Sequence, residues 1–112
     1  MKWNVTVIAL FVTVAINSQV KDDISVVQYS AKFNTDNELN IKELDEVYNE
    51  TLYMSDNSKI FKKEKITYLP TIIVYQDGEE MLRVEAGIDL KLPEGTLQKV
   101  KKFVDELLSV RF

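Results

Sequence analysis

The sequence predicts one α/β domain with a mixed sheet of four to five strands flanked by helices, and three observations carry that prediction. Ile24 to Ala31 (Ile-Ser-Val-Val-Gln-Tyr-Ser-Ala) is a β-branched and aromatic run suited to a buried strand. Pro70 stands before a Thr-Ile-Ile-Val-Tyr run, Asp77-Gly78 supplies the chemistry of a tight turn, and Met81 to Ala86 return as an antiparallel partner. Thr96 opens a last helix in which Leu97, Val100, Val104, Leu107 and Leu108 recur at helical spacing, with Phe103 beside them.

Between these landmarks the chain supplies shorter elements. Asn and Asp dominate Lys32 to Asn37, as they do at helix starts, so a helix is expected over Glu38 to Tyr48 with Ile41, Leu44, Val47 and Tyr48 on its buried face. Thr51 to Met54 is a short strand candidate. Ser55 or Asp56 then caps a charged surface helix running through Lys65, which packs through Ile60 and Phe61. Pro70 lacks an N–H, suits the first position of a strand, and is a candidate for a cis peptide bond. Apolar and polar residues alternate over Ile88 to Pro93.

Residues 1–19 differ from the remainder, residues 20–112. Lys2 is their one charge, and Val5 to Ile16 form an apolar run broken only by Thr6 and Thr13. That pattern suits a signal peptide, with Ile16-Asn17-Ser18 as an imperfect cleavage context, or alternatively an N-terminal anchoring strand.

Composition excludes several chemistries. The 112 residues include no histidine and no cysteine, which removes thiol nucleophiles, disulfides, imidazole bases and the usual zinc ligands. A metal would need carboxylate ligands, but Asp22-Asp23, Asp56-Asn57 and Glu79-Glu80 lack the spacing of a calcium loop, so neither metal nor cofactor is predicted. A net charge of −4 with interspersed signs gives no footprint for nucleic acid, and Lys62-Lys63 and Lys101-Lys102 read as solvated helix faces. Asn49-Glu50-Thr51 meets the glycosylation pattern.

The order strand, helix, strand, helix, proline, strand, strand, helix, with Tyr68-Leu69-Pro70-Thr71 leading to Gly78, resembles the thioredoxin fold over residues 24–111. Val26 to Phe33 is similar to that family's strand before its redox motif, and Cys-x-x-Cys then falls on Asn34-Thr35-Asp36-Asn37. Both cysteine positions are asparagine, and Gln28 stands where the family carries a buried acid. The resemblance therefore implies a cis proline bordering a groove, without a thiolate to attack or resolve a disulfide. The pattern of Asn34, Asn37, Glu79, Glu80, Arg83, Ala86 and the Arg111-Phe112 tail is more narrowly similar to small thioredoxin-like proteins of tailed bacteriophages.

These readings place a binding site on Asn34, Thr35, Asp36, Asn37, Leu69, Pro70 and Thr71. The four-residue turn offers N–H groups to an anion or a partner carbonyl, or else simply caps a helix. Leu69 and Thr71 offer backbone pairing to an extended peptide, unless the proline is only a structural turn. Tyr29, Phe33, Tyr68 and Tyr75 add aromatic surface near this edge, though core packing accounts for most of them. The leading expectation is a redox-inactive, non-enzymatic module that binds a protein partner or assembles, as a homo- or hetero-oligomer, in a virion. The alternative is a secreted or periplasmic polypeptide-binding protein that meets a membrane only transiently, through a signal at residues 1–19. A thiol-independent transferase stands third, since Ser30 has no histidine to activate it.

Overall fold

The computed structural model describes residues 23–111, so the expected leader or anchoring strand at residues 1–19 and the terminal Phe112 lie outside the described residues. Four strands form one sheet: β1 (Ile24–Ser30), β2 (Tyr48–Tyr53), β3 (Thr71–Gln76) and β4 (Glu79–Glu85), in the order β2-β1-β3-β4. β1 and β2 run parallel, while β3 is antiparallel to both β1 and β4. Two α-helices accompany them, α1 (Ser58–Lys63) and α2 (Thr96–Arg111).

Side chains of a strand alternate between the faces of a sheet, which divides the core in two. On one face Ile24, Val26, Ile72, Val74 and Val84 pack with Ile41, Leu44 and the α2 residues Val100 and Val104. On the other, Val27, Tyr29 and Ile73 pack with Phe61 of α1. The β-branched content of β1 and β3 suits their central places, where both faces are covered. Asp77 and Gly78 both take positive φ at the turn joining β3 to β4, as the Asp-Gly pair predicts.

The expected helix over Glu38 to Tyr48 does not form. Two short 3₁₀ turns, Lys32–Asn37 and Ile41–Glu43, replace it, and Tyr48 already begins β2. The cause is Gln28, whose side chain is completely buried on the α2 face of β1. Its Oε1 accepts the Leu39 N–H at 2.9 Å, and its Nε2 donates to the Leu39 carbonyl at 3.0 Å. An α-helix starting at Glu38 would need the Leu39 carbonyl for its ladder, and that carbonyl is already taken by Gln28 and by the Ile41 N–H at 3.0 Å. The side-chain amide pairs with both backbone groups of Leu39 as a neighbouring strand would. Asn49 reinforces the outcome by donating to the Leu44 carbonyl at 2.9 Å.

The limits of one further element also change. α1 starts at Ser58 rather than after Ser55 or Asp56, with Asn57 at its N-cap position and no side-chain capping bond there. Its C-terminus is a Schellman motif: the Lys65 N–H reaches the Lys62 carbonyl, the Ile66 N–H reaches the Phe61 carbonyl, and Ile66 packs on the Phe61 cluster. Lys65 holds the left-handed position there at φ 56°. The alternating Ile88 to Pro93 stretch, to which the sequence assigned no element, is a loop, and its Ile88 is 94% exposed.

Candidate functional site

Asn34 is the junction of the predicted site. It sits in the first 3₁₀ turn at non-helical φ −122° and ψ 27°, and only 5% of it is exposed. Its Nδ2 donates to the Leu69 carbonyl at 3.3 Å and to the Leu90 carbonyl at 3.1 Å. Its Oδ1 accepts from Asn37 Nδ2 at 2.6 Å. Two carbonyl acceptors fix which way the amide faces. Asn34 and Asn37 therefore do not cap a helix; they tie the 32–37 turn to the proline loop and to the loop after β4.

The remaining predicted residues divide into exposed and committed groups. Thr35 and Asp36 are exposed on the turn. Pro70 is buried, the Leu69–Pro70 peptide bond is cis, and the Pro70 carbonyl accepts the Ala86 N–H at 3.0 Å. Thr71 is completely buried, lies in register between Tyr29 and Glu85, and donates its Oγ1 to the Tyr68 carbonyl at 2.6 Å. Its backbone belongs to the sheet. Leu69 is half-buried, and among the described residues its N–H has no hydrogen-bond partner.

Each loop that Asn34 joins presents apolar surface. Phe33 is 71% exposed, Tyr68 42%, Ile88 94% and Leu90 37%, values far above those of core residues of the same types. Leu90 also holds a left-handed backbone, φ 65°, uncommon for a residue with a branched side chain. The composition of Ile88 to Leu92 gave no hint of this, because apolar residues in an alternating pattern suggest burial.

The α1 face carries a second polar assembly that the sequence did not reveal. The Tyr29 and Tyr75 hydroxyls lie 2.6 Å apart, and the Tyr75 hydroxyl donates to Glu64 Oε1 at 2.9 Å. Tyr29 also meets Phe61 edge to face, with ring centroids 5.2 Å apart. Burial first, then the hydrogen bonds to Tyr29 and Glu64, push the Tyr75 phenol far above its ordinary range; Tyr29 is also raised, chiefly by burial. Both phenols stay protonated at neutral pH. Arg83 closes the assembly by donating to the Glu64 carbonyl at 2.8 Å and making a two-point pair with Glu80, which holds the Glu80 carboxyl below its usual range.

Comparison with solved structures decides the architecture. A designed protein overlays with a TM-score of 0.59 at 22% identity, covering 78% of this chain and 82% of its own. The thioredoxin of Fasciola hepatica gives 0.58 at 22% identity, covering 76% and 84%, and oxidised thioredoxin from Plasmodium falciparum gives 0.56 at 18%, covering 75% and 83%. The fold is thioredoxin-like. No protein-family model matches the chain, and no curated protein does. This thioredoxin-like chain contains no cysteine, so disulfide exchange through its own thiols is closed to it. Among the described residues, no group of three or more acidic side chains could hold a metal ion.

Proposed function

We propose that this chain is a redox-inactive, non-enzymatic module that holds a protein partner on the loops joined through Asn34. One observation carries the reading: a buried amide fixes three loops together, and each presents an exposed apolar side chain, Phe33, Tyr68, and Ile88 with Leu90. Scattered exposed apolar residues are ordinary, but a set of them on mutually fastened loops is the arrangement that marks a contact surface. Polar residues accompany them, including exposed Lys32, Asp36, Asp89 and Lys91, which suits a rim. The partner in this reading is a neighbour in an assembly, such as a bacteriophage particle.

A second reading, a secreted or periplasmic holder of extended polypeptide, draws on the Leu69 N–H, which has no partner among the described residues. It is the weaker of the two. Pairing with an extended strand uses a donor and an acceptor, and the Leu69 carbonyl already accepts from Asn34 while Thr71 is engaged in the sheet.

The test is site-specific photo-crosslinking in the native host. A benzophenone at Ile88 should give one discrete protein adduct, which Phe33→Ser abolishes, whereas the same probe at exposed Lys101 on α2 should give none. Equal adducts from both positions, or none from Ile88, would overturn the proposal. In an insulin-reduction assay the chain should not accelerate turbidity above the dithiothreitol background.

A further inference from the structure

The C-terminal ends of β1 and β2 carry a row of paired polar side chains. Gln28 lies in register with Thr51, and Ser30 with Tyr53, each pair on one face of the sheet. Gln28 Nε2 donates to Thr51 Oγ1 at 3.2 Å. The row ends at Glu38, whose Oε2 accepts from the buried Ser30 hydroxyl at 3.0 Å and whose Oε1 accepts from the Tyr53 hydroxyl at 3.2 Å. A cavity of about 380 Å³ opens at this point, with Thr35, Glu38, Asn40, Lys42, Thr51 and Tyr53 in its walls. Two 3₁₀ turns bound it where a full helix would have covered the strand ends.

We infer that this cavity binds a small primary amine of amino-alcohol or amino-acid size, with its ammonium group on Glu38. Glu38 is half-buried and fixed by two hydroxyl donors, yet among the described residues no lysine or arginine pairs with it. A carboxylate has about four lone-pair sites, so two donors leave acceptor capacity directed at a ligand. A half-buried carboxylate that no cation pairs directly, Lys42 lying in the wall without reaching it, gains from a compact cation that brings several N–H donors. The hydroxyls of Thr35 and Thr51 and the amide of Asn40 offer partners for a ligand hydroxyl, and Lys42 offers one for a carboxylate. The volume falls in the range of small-molecule sites, and the space opens beside the last residues of β2.

The experiment is a titration of the ¹⁵N-labelled full chain, followed by amide shifts, with ethanolamine, L-serine and the uncharged isostere ethylene glycol. Both amines should produce saturable shifts at Thr35, Leu39, Thr51 and Tyr53, and ethylene glycol should produce none. Glu38→Gln keeps the shape and removes the charge; it should weaken amine binding roughly tenfold or more. Serine binding more tightly than ethanolamine, with the advantage lost in Lys42→Ala, would assign the ligand to the amino acids; equal affinity would assign it to simple amino alcohols. No saturable shift with either amine, an equal response to ethylene glycol, or undiminished binding by Glu38→Gln would overturn the inference. Should Glu38→Gln fail to fold, the comparison of amines with ethylene glycol on the unaltered chain decides alone.

Discussion

Replacing Asn34 with alanine removes three hydrogen bonds at once. Two carbonyls, those of Leu69 and Leu90, lose their donor, and the Asn37 amide loses its acceptor. A neutral hydrogen bond contributes about 1 kcal/mol net, so complete loss gives roughly 3 kcal/mol, reduced where water reaches the carbonyl of exposed Leu90. We expect about 2–3 kcal/mol, equivalent to roughly 10–20 °C in melting temperature for a domain of this size. Urea unfolding of the full chain measures it, and amide exchange should quicken selectively in the 32–37, 68–70 and 87–91 loops. Asn34→Asp separates geometry from bonding. It keeps the acceptor for Asn37 but turns a carboxylate oxygen toward two carbonyls, which raises the folded-state pKa of the new acid. Its stability should therefore be highest below about pH 4, the unfolded carboxylate value, where its single O–H leaves it one hydrogen bond short of the parent, and fall away as pH rises through the raised folded value. A loss under about 0.5 kcal/mol for Asn34→Ala, or a pH-independent deficit for Asn34→Asp, would refute the reasoning.

Three further outcomes are expected. Lys65→Gly should stabilise by about 0.5–1 kcal/mol in urea, because glycine takes the left-handed position of the Schellman motif without the penalty of a Cβ, partly offset by its freer unfolded chain. Gln28→Leu should cost about 1–3 kcal/mol, since it leaves the Leu39 N–H without its acceptor and the Leu39 carbonyl with the Ile41 N–H alone, and protection of the Leu39 amide should vanish with it. Alkaline titration at the phenolate absorbance should show Tyr29, Tyr53 and Tyr75 ionising above pH 10 in the folded chain. Their raised folded values mean that stability present below the unfolded value is lost as pH climbs beyond it, so Tyr75→Phe should narrow the alkaline loss.

How much of this was legible in the sequence depended on the distance between cause and effect. β1, the Pro70 hairpin and α2 were legible because their signals are local: a β-branched run, an Asp-Gly turn, and apolar residues at helical spacing. The segment from Glu38 to Tyr48 also carried a local signal, but its conformation is decided by Gln28, eleven positions before Leu39. Asn34 was singled out, but with a capping role in place of the bonds it makes. Capping is a local habit of asparagine, whereas its partners here lie 35 and 56 positions away. Tyr29, Tyr75, Glu64 and Arg83 belong to three strands and a helix end, and no spacing rule groups them.

Gln28 has a consequence for the substitutions open to this chain. A carboxylate at that position could accept the Leu39 N–H but, once ionised, could not donate to the Leu39 carbonyl. Cysteine at position 34 would likewise be unable to serve two carbonyls. An acid at position 28 or a thiol at position 34 thus dismantles a joint that supports the backbone. Both amides act as two-way fasteners, and the residues that disulfide chemistry uses cannot take over that work.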